Sequence, residues 1–542
     1  MTDYYYLDKI SLGDDMKKFF TLDNIIQVII SLFIGASLYL KYLIGYDGKY
    51  PFKFIKTFHF NFKFFIVVIV LGSFIFLLMK LLFYFLDKIR ISKKDEMFNS
   101  KKLVIWSFLG IFISGILFLL VHYPGTGIND TLIIIESPIG TSGQHTLFYN
   151  LFIGVLYRVF FKIFGSSNFA FFMTSVSQLI VIDLIVTTFI YWFNKTFKKK
   201  NCTLLLLSYY IFIPIISNYN TVLLKDSLFG SICLLLVPVL YEIIVSKGKI
   251  ITDKKFIISS FIILLLTIYI RNNGLYVVIF TLFILLVIYR KYWKQLVGLL
   301  FALVIMSKVP SVLVPTTELF QEKIGIPIQQ ISYVVKNNYE SISKEDKKYL
   351  NKILERDEVD KNYNPYTVDT IKWHKDFDRM YLNETKGKYL KTWSRILLNN
   401  FEGYVKSYLL TTYELWSFEK FNPVQSRFLN INDSDYSGNY FDELDNKRIL
   451  PKFIHNVLSS FYDKTTIYFG TGSCFIILLV FSTYLFSKKK NLVLLVLPFI
   501  GIWLTLMISA PIAYALRYMS AYVYELPSIM MMGLIMVNKK KY

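Results

Sequence analysis

The chain has 542 residues, 54% of them hydrophobic and 18% aromatic, and it carries a formal net charge of +22 at pH 7. A soluble protein of this length could not bury so much apolar surface in one core, so the composition excludes an ordinary globular protein. The basic residues stand in short clusters between apolar blocks, which indicates membrane topology rather than nucleic-acid binding. The three cysteines form no CxxC pattern and are interpreted as packing residues.

The N-terminal segment MTDYYYLDKISLGDD lacks a basic region and a cleavage site, so the first apolar block is predicted to be an uncleaved span. Apolar blocks of about 18 residues or more predict membrane-spanning helices. We therefore predict a mainly α fold, a polytopic membrane helix bundle of about 12 spans. The predicted spans are residues 24–45, 62–86, 103–121, 169–193, 203–217, 224–245, 256–270, 274–289, 295–314, 466–486, 491–509 and 514–536.

The basic clusters predict the orientation of these spans, because positive charge stays on the cytoplasmic side. The clusters are Lys93-Lys94 with Lys101-Lys102, Lys198 to Lys200, Lys247 to Lys255, Arg290-Lys291, Lys488 to Lys490 and Lys539 to Lys541. Placing all of them inside requires an even number of crossings between each pair. The apolar stretch 145–164 breaks this rule, and it carries Arg158 and Lys162 on one side. It is predicted to lie in the outer membrane interface without crossing.

This topology divides the chain into four parts. They are N-terminal spans with a cytoplasmic loop (1–102), a transmembrane core with an outer loop at 122–144 (103–315), a mostly α extracytoplasmic domain (316–465) and C-terminal spans (466–542). The loop 122–144, the turns 218–226 and 271–273, and the segment 510–517 are all predicted to be outside. The loop 46–61 carries three lysines and leaves the orientation of the first two spans open.

The outer loop 122–144 and the residue after it contain the first candidate catalytic side chains. Asp130 lies just outside a span and before a helix start, which suits a general base. A helix N-cap is an equally good interpretation of Asp130, since aspartate is favoured there. Glu136 is a second acid in the loop. His122 and His145 are interpreted as interfacial packing residues, with a metal site as the alternative.

Cations at the outer ends of three spans form a second group. Lys225-Asp226 opens a span, Arg271-Asn272-Asn273 joins two spans, and Arg517 stands near the start of the last one. Taken singly, they suit a snorkelling lysine with an aspartate cap and a tight turn. Ionisable residues at membrane depth are costly and are usually functional. Together, these cations suit the binding of a phosphate whose lipid tail stays in the bilayer, because Arg and Lys bind phosphate oxygens.

Several short motifs follow one another in a recognisable order. YPG-x-x-x-ND, the helix that starts at His145, KDSLF, RNNG, GIPIQQI and a late RY resemble an uncharacterised family of bacterial membrane proteins of the GT-C glycosyltransferase type. The resemblance runs from about residue 103 to the C-terminus. It implies a polyprenyl-phosphate-linked sugar donor, a catalytic carboxylate in the first outer loop and helices that lie along the membrane.

Carried over to this chain, the resemblance makes Asp130 the base. It assigns the donor phosphate to Lys225, Arg271 and Arg517, and further substrate contacts to Asn129, Asp226, Asn272 and Asn273. Where such loops have a second acid beside the first, this chain has Asn129, so Glu136 is the nearest alternative and a divalent metal stays open. His145-Thr146-Leu147 replaces the His-Pro-Pro of the pattern.

The expected function is the inverting transfer of a sugar to a cell-envelope glycan, lipid or protein at the outer face of a bacterial cytoplasmic membrane. Residues 316–465 would select the acceptor through Gln329-Gln330, Tyr363 to Tyr366 and Trp373-His374, or would form a structural cap. The alternatives are an outer-face polysaccharide polymerase or ligase centred on arginines, and a non-enzymatic transporter or flippase for which Asp183 would be the intramembrane site.

Overall fold

The computed structural model describes residues 21–45, 53–54, 58–91, 96–139, 145–315, 320–419, 444, 447–464, 469–509 and 516–538. The predictions for other residues, including Lys93-Lys94, Lys539 to Lys541 and most of 510–517, lie outside the described part of the chain. The described chain is mainly helical, with a single antiparallel pair of short strands, β1 (Ile44–Gly45) and β2 (Lys53–Phe54).

In chain order the α-helices are α1 (Leu22–Leu43), α2 (Phe62–Lys88), α3 (Ser100–Val121), α4 (Asn129–Glu136), α5 (Leu147–Phe164), α6 (Ser167–Phe197), α7 (Lys200–Phe212), α8 (Pro214–Thr221), α9 (Lys225–Leu234), α10 (Leu236–Val245), α11 (Lys254–Ile270), α12 (Gly274–Ile288), α13 (Trp293–Met306), α14 (Val309–Leu313), α15 (Phe320–Lys323), α16 (Gly325–Asn337), α17 (Lys344–Leu350), α18 (Arg356–Asn362), α19 (Asp369–Lys372), α20 (Arg379–Glu384), α21 (Lys386–Asn399), α22 (Phe401–Thr411), α23 (Tyr413–Trp416), α24 (Lys452–Tyr462), α25 (Thr471–Lys488), α26 (Leu497–Ser509) and α27 (Ser520–Asn538). Short 3₁₀ helices occupy Lys249–Thr252, Arg290–Tyr292, Tyr339–Ser341, Lys490–Val496 and Leu516–Met519.

Ten helical segments of the described chain are long and apolar enough to cross a membrane, or up to 11 if a bent pair is counted as one span. Nine of them coincide with predicted spans, and the tenth is α5. The predicted span 203–217 is the bent pair α7 and α8, which meet at 64° where Pro214 starts α8 without a backbone N–H. The remaining two predicted spans are α11 with 17 residues and α12 with 15 residues, both shorter than the ~20 residues of a perpendicular span.

One end of the bundle collects basic clusters from distant parts of the chain. Lys200 Nζ lies 2.9 Å from Glu96 Oε1, joining the start of α7 to the segment before α3. Lys488 at the end of α25 pairs with Asp87 at the end of α2 at 2.5 Å. The 3₁₀ helices Lys249–Thr252 and Arg290–Tyr292 contact each other there. We name this the lysine-rich end.

The first two spans form a hairpin that starts and finishes at the lysine-rich end. Asp23, in the first turn of α1, lies 3.9 Å from Lys490, while Lys41 in its last turn lies 3.1 Å from Glu419, which follows α23. The two helices pack closely because a Cβ at Gly35 would lie only 2.8 Å from the backbone nitrogen of Gly72. The strand pair between them is therefore at the end opposite the lysines.

Helix α5 has both of its ends on the side away from the lysine-rich end. Thr146, its N-cap, donates to the carbonyl oxygen of Ile270 at the far end of α11. At its other end, the ring of Phe164 lies 4.7 Å from that of Phe169 in the first turn of α6, and α6 then runs for 31 residues to the lysine-rich end.

Helices α15 to α23 form a unit in which the helices up to α22 share an apolar core that includes Ile328, Val334, Leu382 and Tyr404. This unit is attached at the end opposite the lysines, where Trp503 of α26 donates to the carbonyl oxygen of Leu415 at 2.8 Å. It corresponds to the described part of the predicted extracytoplasmic domain.

Candidate functional site

The polar residues at the end opposite the lysines meet because four helices begin or end there. Helix α3 ends at Val121 before the loop that leads to α4, α9 begins at Lys225, α11 ends at Ile270 and α27 begins at Ser520. The predicted site residues on these termini form three contacting pairs.

The first pair joins the loop helix α4 to the last span. Arg517 Nη1 lies 3.7 Å from Asp130 Oδ2, and the two side chains are 17% and 29% exposed. Burial raises the pKa of Asp130, but the charges of Arg517 and Lys225 outweigh it and hold the pKa below its usual value. Asp130 is therefore an ionised carboxylate at neutral pH, in a location that a substrate can reach.

The second pair joins Lys225 to His145. Lys225 Nζ lies 2.8 Å from His145 Nδ1, and the imidazole is buried. Burial and the neighbouring Lys225 charge lower the pKa of His145 to about 4. His145 is thus neutral at pH 7, and Lys225 donates to Nδ1, which leaves the proton on Nε2. This Nε2 is buried and has no hydrogen-bond partner within the described part of the chain.

The third pair is the most deeply buried. Arg271 Nε lies 3.1 Å from Asp226 Oδ1, with the two side chains 8% and 2% exposed. The guanidinium also donates to the carbonyl oxygen of Tyr518 at 2.9 Å and lies 5.4 Å from the ring centre of Phe229. Asp226 is covered by Arg271, so in this structure it acts as the partner of the arginine and is not open to solvent.

Backbone contacts hold the three pairs together. Thr131, next to Asp130, donates to the carbonyl oxygen of Leu223 at 2.7 Å, two residues before Lys225. Leu223 N in turn donates to the carbonyl oxygen of Thr126 at 3.1 Å. The loop before α4 is thereby fixed to the turn before α9, which sets the position of the carboxylate relative to the lysine.

The turn at Arg271 is tight because the chain backbone approaches itself closely at Gly274. Gly274 does not have a positive φ; the positive-φ glycines of the described chain are Gly125, Gly165 and Gly248. Glycine is needed at 274 for close approach, because a Cβ there would lie 2.1 Å from the carbonyl oxygen of Thr267. The short turn keeps Arg271 at the mouth of the bundle.

The other predicted site residues are more peripheral. The Glu136 side chain is exposed at the far end of α4, and its carbonyl oxygen accepts from Arg158 at 2.6 Å. Asn272 is exposed, and Asn273 donates to Thr505 Oγ1 at 3.0 Å. The side chain of Asn129 lies outside the described part of the chain.

A residue that the sequence reasoning did not select also contributes to the site. Lys372, at the end of α19, is one of the cations whose charge lowers the pKa of Asp130. It is buried and lies 3.0 Å from Glu322 and 2.9 Å from Asp369. Its position after Asp369-Thr-Ile in a mixed-charge helix carried no signal that would set it apart from other surface lysines.

Two predicted histidines lie apart from each other. His122 is 4.0 Å from Asp463 at the end of α24, whereas His145 is beside Lys225. Among the described residues there is no group of three or more His, Cys, Asp or Glu side chains that could hold a metal ion. His122 and His145 therefore do not form a shared pair in this structure.

The fold and the site together define a multi-pass membrane protein with a charged cluster at one end of its helix bundle. The chain belongs to DUF6020, a family of unknown function, whose sequence pattern matches residues 136–541. That range includes Lys225, Arg271 and Arg517 and begins six residues after Asp130. No curated protein and no solved structure matches the chain.

Proposed function

We propose that this protein is a membrane glycosyltransferase of the GT-C type that uses a polyprenyl-phosphate-linked sugar. The observation that carries the proposal is the ionised Asp130 carboxylate beside Arg517 and Lys225, at the end of the bundle opposite the lysine-rich end. With the lysines in the cytoplasm, this cluster is extracytoplasmic. A bacterial cytoplasmic membrane and a cell-envelope acceptor fit this orientation.

The reaction is a single displacement at the anomeric carbon. The acceptor hydroxyl oxygen forms the new bond to that carbon while the bond to the lipid phosphate oxygen breaks. The proton of the hydroxyl goes to Asp130, and the electron pair leaves with the phosphate. Arg517 and Lys225 stabilise the charge that develops on the phosphate. Attack from the face opposite the leaving phosphate inverts the anomeric centre.

His145 takes the part of a neutral hydrogen-bond donor in this scheme. Its Nδ1 accepts from Lys225, so its Nε2–H is directed elsewhere, and a substrate oxygen that displaced the groups covering this buried atom would accept from it. A neutral donor adds no further charge beside the two cations, which keeps the phosphate from being bound too tightly before transfer. The buried ion pair Arg271–Asp226 supports His145 and the two cations from inside the bundle, and it positions Tyr518 and Lys225.

Helix α5 and the unit α15 to α23 have supporting roles in this proposal. Helix α5 lies along the outer membrane surface, and the unit α15 to α23 covers the cluster and selects the acceptor. Support for the second assignment comes from Lys372, which brings a charge of this unit within electrostatic range of Asp130. The other acceptor-selecting candidates, Gln329 and Gln330, are buried in contacts with carbonyl oxygens of the same unit, which suits the structural cap.

The test compares envelope glycans from cells that lack the chain and carry it back as wild type or as a variant. We expect Asp130→Asn to lower the amount of the dependent glycan by about 10²-fold or more, the usual contribution of a general base. Asp357→Asn, at an exposed position in α18, is the matched control and should restore the glycan fully. Glu136→Gln separates the two acids of the loop, and full product with Asp130→Asn would refute the assignment.

A transporter or flippase is the second candidate, favoured by two acids inside the spans. Asp183 and Glu525 are fully buried, and neither Glu525 oxygen has a hydrogen-bond partner within the described part of the chain. Such residues mark ion or substrate pathways in many membrane proteins. Proteoliposomes that move a lipid-linked sugar across the bilayer without transferring it, and lose this movement with Glu525→Gln, would favour this function over transfer.

A further inference from the structure

Helix α24 is attached to the bundle at the end of α3 that lies opposite the lysine-rich end. The ring of Tyr462 lies 5.4 Å from that of Phe118, and the Tyr462 hydroxyl donates to the carbonyl oxygen of Ser114 at 2.8 Å. Leu458 packs into the same apolar cluster, which also contains Val121 in the last turn of α3. These contacts fall within the last two turns of α3, so α24 lies at the end of that span.

The length of α3 sets the depth at which α24 lies. Helix α3 has 22 residues, which correspond to about 33 Å at the rise of an α-helix. The hydrocarbon core of a bilayer is about 30 Å thick. The last turn of α3 is therefore at the edge of the hydrocarbon, and a helix packed against that turn lies at the boundary between membrane and water.

The surface of α24 is divided into three sectors. At about 100° per residue, each sector spans roughly a quarter of the circumference of the helix, and the sectors do not overlap. The sector that faces the bundle contains His455, Leu458, Ser459 and Tyr462. The exposed polar sector contains Lys452, Asn456 and Ser460. The exposed apolar sector contains Phe453, Ile454, Val457 and Phe461.

The two exposed sectors require different surroundings. Side chains of the apolar sector are between 38% and 79% exposed, and a continuous apolar patch of this kind marks an interaction surface. The polar sector beside it suits water. Exposed Lys447 and Arg448 precede α24, and Lys452 begins it. Basic residues on the polar side and bulky apolar residues on the other are typical of helices that lie in a membrane interface.

The apolar sector adjoins a surface of the bundle that faces lipid. Trp106, Leu109 and Ile113 form an exposed apolar stripe along α3 at helical spacing. The next residue of this stripe is Leu117, which packs into the cluster that holds α24. The stripe that α3 presents to the bilayer therefore leads up to α24, which makes lipid the occupant of the exposed apolar sector.

We infer that α24 lies in the membrane interface, with its apolar sector inserted among lipid acyl chains and its polar sector in water. With the lysine-rich end in the cytoplasm, the lipids are those of the outer leaflet. The inference depends on how α24 packs on a membrane span, and it is independent of the proposed sugar transfer.

This location gives α24 a role in positioning the loop that carries Asp130. Lys447 N, before α24, donates to the carbonyl oxygen of Tyr123 at 3.2 Å. Asp463, directly after α24, lies 4.0 Å from His122. Both flanks of the helix thus contact the start of the loop. A helix held by lipid would fix the height of this loop relative to the membrane surface.

The test compares nitroxide spin labels at two adjacent positions of the full-length protein in phospholipid vesicles. Val457→Cys places a label in the apolar sector and Asn456→Cys places one in the polar sector. Both are made with Cys202→Ser, because the other two cysteines are buried. Oxygen concentrates in the bilayer, whereas a nickel chelate on both sides of the membrane stays in water. The ratio of oxygen to nickel collision rates should be several-fold higher at 457 than at 456.

Two further labels supply reference values. Ile113→Cys, in the stripe of α3, gives the ratio for lipid, and Asp357→Cys, at an exposed position in α18, gives the ratio for water. The label at 457 should match the first and the label at 456 the second. The pair Phe461→Cys and Ser460→Cys repeats the comparison one turn further on, so that a folding defect at a single position cannot decide the result.

Three results would overturn the inference. Ratios like that of Asp357→Cys at both 456 and 457 would place all of α24 in water. Ratios like that of Ile113→Cys at both positions would place it inside the bilayer. Low collision rates of the 457 label with both reagents would show that protein covers the apolar sector, and dipolar broadening between labels would then identify a second copy of the chain.

Discussion

Acidification should destabilise this protein through His145. Its pKa is lowered to about 4 by burial and by Lys225, whereas an unfolded histidine titrates near 6.5. The folded state therefore favours the neutral form, and its stabilising contribution is complete above the unfolded pKa. It is lost as the pH falls from about 6.5 towards 4. Between pH 8 and pH 5 the two pKa values give a loss of about 2 kcal/mol.

Thermal unfolding of the full-length protein in detergent, followed at several pH values between 8 and 5, measures this loss. His145→Gln keeps an acceptor for Lys225 but cannot titrate, so its midpoint should fall less with acidity than that of the wild type. His59→Gln is the matched control, because His59 lies at the surface beside Glu402 and should leave the pH dependence of the wild type intact. Parallel curves for the wild type and His145→Gln would show that His145 is not held neutral, and the assigned tautomer would be wrong.

Three further substitutions test how the site is built, each by thermal unfolding in detergent. Asp226→Asn should lower the free energy of unfolding by about 3–5 kcal/mol, because it leaves a buried arginine unpaired. The double variant Asp226→Leu with Arg271→Met removes both charges and should recover most of this loss. A loss below about 1 kcal/mol for the single change would contradict the buried pair. Thr131→Val should lower the free energy of unfolding by about 1–3 kcal/mol, because Thr131 holds the loop before α4 through two hydrogen bonds. An unchanged stability would show that other contacts hold the loop. Gly274→Ala should lower stability or expression strongly, whereas Gly298→Ala, which has open space around it, should not; equal behaviour of the two would contradict the close approach at 274.

Hydropathy and the basic clusters predicted most of the membrane helices and the end at which the polar residues meet. Nine predicted spans coincide with span-length helices. The bounds predicted for the two segments beside Arg271, 256–270 and 274–289, agree with α11 and α12 to within two residues. Helices α11 and α12 are apolar enough but short, since residues 254–270 and 274–288 are cut by the turn that brings Arg271 to the mouth of the bundle. A sliding hydropathy window cannot separate a short helix from a full span when both are apolar.

The side-chain pairing within the site was beyond the reach of the sequence. Arg271 and Asp226 are 45 residues apart in the chain, and nothing in the sequence separated Arg271 from Arg517 as a phosphate ligand. Only the packing of α9 against α11 and α27 decides that Arg271 is neutralised by a buried carboxylate while Arg517 approaches the loop. Lys372 was missed for the same reason, because its relation to Asp130 depends on how a distant unit docks on the bundle.

The position of Asp130 illustrates how local and global constraints combine. The family pattern starts at Glu136, so the match itself includes the cations but not the candidate base. Yet Asp130 cannot move independently of the matched region, because Thr131 is bonded to Leu223 and the neighbouring Thr126 accepts from the same residue. Lys225 follows two residues later, on the first turn of α9. A change in the α9 turn would therefore displace the carboxylate and the lysine together. A change at the start of α27 would also reach α9, because Ser520 donates to the carbonyl oxygen of Asp226. The loop before α4, the turn before α9 and the start of α27 therefore hold the carboxylate and its cations as one connected unit.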